Sequence, residues 1–360
     1  MIDDENREIS KELINNINRR CISTMNIMEI CGTHTSSIAR FGIRSMLSEK
    51  VNLLSGPGCP VCVTSKNYID MAIKVLDYKD VVIASFGDLV RVKGSIYNLI
   101  DQKENGKEVY IVYSPFDAVK LAEDNPTKQI VFLAVGFETT APVIALSLKA
   151  VEERKIKNLS FLTSIKIMEP VMRRILNEKN NIDGIICPGH VASIKGADYF
   201  RFIPEEHNIP AVIAGFGELD IIGAVYFLAK MKTENNVKLK NLYKRCVKDK
   251  GNIIANSLIY EFFDISDSNW RGIGNIKNSS FVLKNRYSIY NAEERFELKG
   301  IDIKSESKFI CSDVLMGKKN PLECIYFDST CTPDNPCGPS MVSSEGVCSI
   351  YYKYRGIKVE

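Results

Sequence analysis

Eight short apolar runs restrict this chain to a narrow set of folds. They cover residues 25–30, 51–55, 80–86, 108–113, 129–135, 158–164, 182–187 and 209–214, each of strand length. Helical patterns lie between them. Ile69, Ala72, Ile73 and Leu76 recur on one face behind Thr64 or Ser65 as N-cap, while Pro115 and Pro170 stand at the starts of two further helices over 116–123 and 171–177. Strands that alternate with helices pair in parallel and are covered on both faces, so the fold class is α/β with doubly wound parallel sheets. Four strands followed by four more predict two similar domains, 25–128 and 129–234. After about residue 235 the character changes to a basic helical pattern over 237–250, a polar segment around the lone Trp270, strand-like alternation near 280–299, and a tail rich in Pro, Gly and Cys. That predicts a third domain, 235–360, joined by the N-terminal helical segment 1–24.

Motifs at the strand ends partly repeat. Cys31-Gly32-Thr33-His34-Thr35 is echoed by Gly136-Phe137-Glu138-Thr139-Thr140. Gly56-Pro57-Gly58-Cys59 is echoed by Cys187-Pro188-Gly189-His190, and Ala84-Ser85-Phe86-Gly87 by Ala214-Gly215-Phe216-Gly217. An internal duplication would explain the order.

Eleven cysteines need a chemical reason. The chain opens on acidic and polar residues rather than a signal sequence, and its apolar runs are far too short to span a membrane, so a cytoplasmic location is expected. In a reducing compartment such cysteine density points to metal binding or thiol chemistry rather than a disulfide framework. A net charge of +3 gives no argument for nucleic acid.

Cys59-Pro60-Val61-Cys62 is the sharpest motif. It stands in a strand-to-helix turn after Gly-Pro-Gly, where backbone N–H groups and the helix dipole favour a thiolate. Such a pair can close a disulfide or share a metal. Cys31 and His34 offer a thiolate and an imidazole at another strand end, either as ligands for a borderline metal or as a nucleophile with its base. Two cysteine loops at the carboxyl ends of successive strands fall where ligand crevices form in open α/β sheets. Glu138, in a loop without the glycines and lysine of a phosphate loop, reads equally as a helix start or a substrate contact. His190 repeats the thiol-and-imidazole pattern beside Cys187. In the tail, Cys324, Cys331, Cys337 and Cys348 stand on Pro- and Gly-rich loops without regular CxxC pairs, which suits an iron–sulfur cluster better than a zinc ribbon. Glu345, three residues before Cys348, is a candidate for handling protons beside it or an exposed loop carboxylate.

These motifs together resemble the HypD family of nickel–iron hydrogenase maturation factors. The resemblance rests on Met28 to Thr35, Gly56 to Cys62, Gly136 to Pro142, Pro188 to Val191, Trp270-Arg271-Gly272, and the tail from Cys324 through Met341-Val342-Ser343-Ser344-Glu345-Gly346. It implies two α/β domains plus a domain carrying a 4Fe–4S cluster, acting as an assembly scaffold with redox activity rather than a conventional enzyme. With a HypC-type chaperone the scaffold would hold an iron that receives two cyanides and one carbon monoxide. Cyanide would come from HypE, itself supplied by HypF, and the hydrogenase large subunit would be the final recipient. Carried over by residue, Cys31 would ligate that iron beside a cysteine of the partner, with His34 lying next to it, and Cys59 and Cys62 would relay electrons between the iron and a cluster on Cys324, Cys331, Cys337 and Cys348. Two departures stand out. Ser340 occupies the position where the family carries a cysteine, so Cys337 or Cys311 must substitute, and the segment Ser164 to Pro170 lacks the family's histidine. An iron–sulfur-linked protein disulfide reductase and a zinc-stabilised binding module are the rival readings.

Overall fold

The computed structural model describes residues 4–178, 180–298 and 310–355. All eight apolar runs form strands: β1 (Met25–Glu29), β2 (Val51–Ser55), β3 (Val81–Ser85), β4 (Glu108–Ile111), β5 (Gln129–Gly136), β6 (Leu159–Lys166), β7 (Gly184–Pro188) and β8 (Ala211–Ala214). Three more follow: β9 (Leu239–Asn241), β10 (Phe263–Trp270) and β11 (Gly274–Leu283). The chain divides into two units, each built from separated stretches. The first comprises Met1–Cys59, Met172–Ile253 and Ile310–Glu360, the second Pro60–Val171 and Ile254–Phe309.

The first unit holds a five-stranded sheet in the order β2-β1-β7-β8-β9, parallel throughout. Counted within the unit this is the order 2-1-3-4-5, whose switch point lies between β1 and β7. Strand β7 is buried along its whole length, as a parallel strand covered on both faces requires. One face carries the helices Asp4–Arg20 and Glu218–Thr233. Ile17, Ile221, Val225 and Leu228 join Ile27, Leu53, Ile186 and Val212 in one buried cluster.

The second unit holds a six-stranded sheet in the order β10-β11-β6-β5-β3-β4. Its four parallel strands repeat the order 2-1-3-4, and the β10–β11 hairpin adds on antiparallel beyond β6. Phe132 and Phe161, fully buried on adjacent strands, meet edge to face at 5.9 Å. The helix Pro115–Asp124 begins as its sequence requires, with Ser114 as N-cap and Asp117 returning to the Ser114 N–H.

The units do not follow the expected consecutive spans 25–128 and 129–234. Each sheet takes four of the eight strands, but the first unit takes the first two and the last two. Apolar periodicity marks a strand without specifying its neighbour, so alternation alone does not locate the points where the chain leaves one sheet for the other. The expected span 235–360 is likewise divided: β10 and β11 belong to the second unit, residues 310–355 to the first. The basic stretch 237–250 forms β9 and irregular structure instead of a helix. Strand-like alternation near 280–299 holds only through Leu283, after which short helical turns follow, and residue 299 lies outside the described residues. The echoed motifs also sit at different places in the two sheets. Ala84 lies one residue before the end of the first strand of its sheet in chain order, whereas Ala214 ends the fourth. The shared strand order, rather than those motifs, is what the two units have in common.

Truncation of the buried aromatic pair tests this packing. Phe132→Ala is expected to lower stability by about 3–5 kcal/mol, read as an earlier midpoint in urea unfolding. Substitutions of exposed Tyr113 should leave that midpoint in place.

Candidate functional site

The carboxyl ends of β1, β2, β7 and β8 converge at the switch point of the first sheet, and most of the singled-out residues lie there. Cys31 follows β1 and serves as N-cap of the helix Gly32–Arg40. The backbone N–H groups of Thr33 and His34 face its sulfur and lower its pKa. Burial and the carboxylates of Glu345 and Glu29 work the other way, and burial wins, pushing the thiol up to about 12. Alone, Cys31 is therefore a neutral thiol.

Two glycines let the β2 loop reach it. Gly58 lies flat on the Cys31 backbone, since a Cβ there would come within 2.3 Å of the Cys31 nitrogen. Gly32 donates its N–H to the Gly58 carbonyl at 3.2 Å. Cys59 and Cys62 are joined by a disulfide, and both sulfurs belong to buried residues, 4% and 0% exposed. The helix Pro60–Val63 starts directly after Cys59, and Ser65 caps the next helix by accepting from the Tyr68 N–H at 3.2 Å.

Glu29, the last residue of β1, carries more of the site than its sequence context suggested. Its carboxylate is buried, accepts the Cys31 N–H at 3.0 Å, and accepts the Thr35 hydroxyl through its other oxygen. Ser55, its register partner on β2, lies beside it. Burial raises the Glu29 pKa, while these neighbours and Arg44 pull it down. A carboxylate at the end of a mostly buried strand was the available signal.

His34 is fully buried. Its Nε2–H donates to the Gly215 carbonyl at 2.9 Å, which fixes the tautomer and leaves the Nδ1 lone pair buried without a hydrogen-bond partner. Desolvation drops its pKa to about 4, with neighbouring His190 adding to the shift. Both imidazoles lie against Phe216, His190 stacked at 4.0 Å and His34 tilted at 4.7 Å. Cys187 is buried with a pKa raised well above the usual thiol value, which suits a packed core residue. Glu345 sits over Gly32, where a Cβ would meet its carbonyl oxygen at 2.6 Å, and accepts the Thr33 hydroxyl at 3.2 Å.

The tail gathers several thiols. Burial raises the Cys348 pKa, and Cys311, Cys331 and Cys324 lie close enough to raise it further through their charge. The Cys337 N–H donates to the Cys331 sulfur at 3.4 Å, while its own sulfur approaches the Thr330 carbonyl at 3.9 Å. Among the described residues no group of three or more His, Cys, Asp or Glu converges as the ligands of a single metal ion would. Thiolates around a four-iron cube stand further apart, because iron and sulfide lie between them. Neighbouring thiols, Cys324 and Cys331 on loops and Cys311 and Cys348 in the first turns of short helices, are a fitting donor set for such a cluster.

Glu138 belongs to the second unit, at the carboxyl end of β5. It is buried and accepts the Met168 N–H at 2.8 Å. Nearby, Trp270 is fully buried, donates its indole N–H to Ser279 at 2.9 Å and pairs with Thr64 through an isolated bridge. Arg271 donates its N–H to the Val63 carbonyl at 2.9 Å. The Trp-Arg-Gly hairpin thus anchors the stretch just past Cys62. Lys166 drew no attention in sequence, yet it is 3% exposed, donates to the Asn269 carbonyl at 3.0 Å and to the Ser268 hydroxyl, and burial lowers its pKa to about 8. A charged residue closing a buried strand was its only mark.

The His34 environment gives a pH dependence. The imidazole titrates near 6.5 ordinarily and near 4 when folded. Between those values the unfolded chain binds the extra proton, so stability rises with pH. The contribution is complete above about pH 6.5 and fades as pH falls toward 4, in total about 3 kcal/mol. Urea titrations at pH 7 and pH 4.5 should show that loss, and His34→Gln should flatten it. Gly58→Ala should cost about 1–3 kcal/mol in the same titrations, because a Cβ has no room against the Cys31 backbone.

The family model described as HypD, hydrogenase formation hypA family, matches residues 8–355. A putative hydrogenase expression/formation protein of Methanocaldococcus jannaschii is 39% identical, covering 99% of this chain and 100% of the relative. The hydrogenase maturation factor HypD of Escherichia coli is also 39% identical, over 92% of this chain and 89% of its own length; that of Azotobacter vinelandii is 37% identical over 91% and 89%. No helix among the described residues is long and apolar enough to cross a membrane. On a match of this extent, with motifs distributed from Cys31 to Cys348, the chain belongs to the HypD family of hydrogenase maturation factors.

Proposed function

We propose that this chain is a scaffold on which, with a HypC-type chaperone, an iron carrying two cyanides and one carbon monoxide is assembled for nickel–iron hydrogenase. The observation that carries this reading is the crowding at Cys31. A buried thiol at a helix start lies against the loop that leads into the Cys59–Cys62 pair, with carboxylates on either side. The iron is the cargo. A low-spin iron with cyanide and carbonyl ligands prefers a soft thiolate, and a cation is what would convert the neutral Cys31 thiol to its thiolate, since ligation displaces the proton. The Thr33 and His34 N–H groups then stabilise the charge. Glu29 holds the Cys31 backbone in place, and Glu345, on the exposed side, is suited to accept the released proton.

As a disulfide, Cys59 and Cys62 take up two electrons and two protons; as dithiols they return both to an acceptor. A 4Fe–4S cluster on the tail thiols would supply electrons one at a time. Cys324, Cys331 and Cys348 are its proposed ligands, with a fourth thiol beside them. HypE as cyanide donor, supplied by HypF, and the hydrogenase large subunit as recipient complete the proposed sequence, in the cytoplasm.

The rival, a protein disulfide reductase using Cys59 and Cys62, draws on the observed disulfide. Both residues are nearly inaccessible, however, and exchange with a protein disulfide requires an exposed attacking sulfur. Infrared spectroscopy of the anaerobically purified complex with a HypC-type partner decides between them. Cyanide and carbonyl stretching bands are expected, and Cys31→Ala should abolish them while leaving the tail's iron content unchanged. Absence of those bands, with turnover of a test protein disulfide, would favour the reductase.

A further inference from the structure

The β10–β11 hairpin joins its sheet along a short seam. The register of β11 on β6 is two residues long, with Ser280 opposite Lys166 and Phe281 opposite Ile165. The Ile167 N–H donates to the Ser279 carbonyl and the Ser280 hydroxyl to the Ile165 carbonyl, both at 2.9 Å. All of these bonds hold β11. The outer strand, β10, carries Trp270, and a bulge between Ser266 and Ser268 interrupts its pairing with β11. Lys166 reaches β10 at that bulge. From the last position of β6 its ammonium donates to the Ser268 hydroxyl and, at 3.0 Å, to the Asn269 carbonyl, and it lies 5.9 Å from the centre of the Trp270 ring. Both acceptors are neutral, and a lysine only 3% exposed is costly to bury on such terms. What the tie holds begins one residue further on. Trp270 pairs with Thr64 through its isolated bridge, and the Arg271 N–H donates to the Val63 carbonyl. The buried Thr64 in turn donates its hydroxyl to the Pro60 carbonyl at 2.9 Å. These bonds hold both ends of the helix Pro60–Val63, which carries Cys62.

We propose that Lys166 is a positioning residue for the Cys59–Cys62 pair: through Ser268, Asn269 and the Trp270 turn it holds Cys62 where its sulfur meets that of Cys59, and so favours the disulfide over the dithiol. This deepens the reading that the pair carries electrons, and rests on it. Closing the disulfide joins the two sulfurs and passes two electrons and two protons to an oxidant. With oxidised dithiothreitol as that oxidant, its own S–S bond opens to the dithiol. The position of this equilibrium measures how closely the folded chain keeps the two thiols together, as an effective concentration. A hairpin released from Lys166 holds the helix Pro60–Val63 less firmly and lowers that concentration, without any change in the sulfurs themselves.

The test uses the full chain without oxygen, equilibrated from both directions in mixtures of reduced and oxidised dithiothreitol, then alkylated and digested with trypsin. Residues 51–66 form one tryptic peptide whose only cysteines are Cys59 and Cys62, so its mass reports the pair alone. Lys166→Met removes the donors and keeps the length of the side chain. It is expected to lower the equilibrium constant for disulfide closure about tenfold, equivalent to about 30 mV. Ser268→Ala removes one acceptor and should shift the constant the same way by a smaller factor; it carries the test if Lys166→Met does not fold by circular dichroism. Phe132→Ala, a costlier truncation in the same unit, should leave the constant in place, which separates positioning from a general loss of stability. An unshifted constant in Lys166→Met and Ser268→Ala, or an equal shift in Phe132→Ala, would overturn the proposal and leave the redox reading standing. A pair that stays oxidised in every mixture in the unsubstituted chain would overturn both.

Discussion

The close approach of Gly58 to Cys31 is the constraint on which the site depends. Strands β1 and β2 run parallel with Glu29 opposite Ser55, so both chains leave the sheet at the same level. Their loops can share that space only because position 58 has no side chain. With the loops in contact, Gly32 bonds to the Gly58 carbonyl, and Cys31 is held as the cap of its helix. Burying the Glu29 carboxylate below would cost several kcal/mol if it stood alone. The Cys31 N–H and Thr35 hydroxyl offset that cost, and each of them is delivered by the same turn.

The sequence made the elements legible more readily than their partners. Apolar runs identified eight strands because burial on both faces needs unbroken Val, Ile and Leu. Nothing in those runs says that β2 is followed by a strand of the other sheet, or that β7 returns beside β1. Pairing is a long-range choice, settled by surfaces that lie far apart in the chain. The site shows the same division. Cys31, His34 and Glu345 were recognisable as reactive residue types, and they meet in one unit. Glu29 and Gly58 act through backbone contacts that spacing does not encode.

Each unit presents a switch point of the same kind, furnished differently. In the first, between β1 and β7, thiols and imidazoles line the strand ends. In the second, between β3 and β5, the loops carry Phe86-Gly87-Asp88 and Gly136-Phe137-Glu138, with Phe137 stacked on Trp270. A shared strand order provides the crevice, and the loop residues decide what chemistry it supports. Here Cys31, His34, Cys187 and His190 gather at one sheet, while the other devotes its loops to packing the Trp270 hairpin and the stretch after Cys62.

Burial at Cys31 also selects what can bind there. A low dielectric around Cys31, His34 and Glu29 disfavours every charged form: the thiol stays protonated, the imidazole stays neutral, and the carboxyl pKa rises. Such a site has sulfur and oxygen donors whose negative charge is costly until a positive charge arrives. A proton satisfies the thiol only weakly compared with a soft metal ion, which engages the sulfur directly and benefits from the carboxylates' field. The N–H groups of Thr33 and His34 are already oriented toward the charge that ligation creates. On the proposed function, the arrangement would suit a metal-bound thiolate better than the free thiol, and the burial that keeps the Cys31 thiol protonated would favour a soft cation.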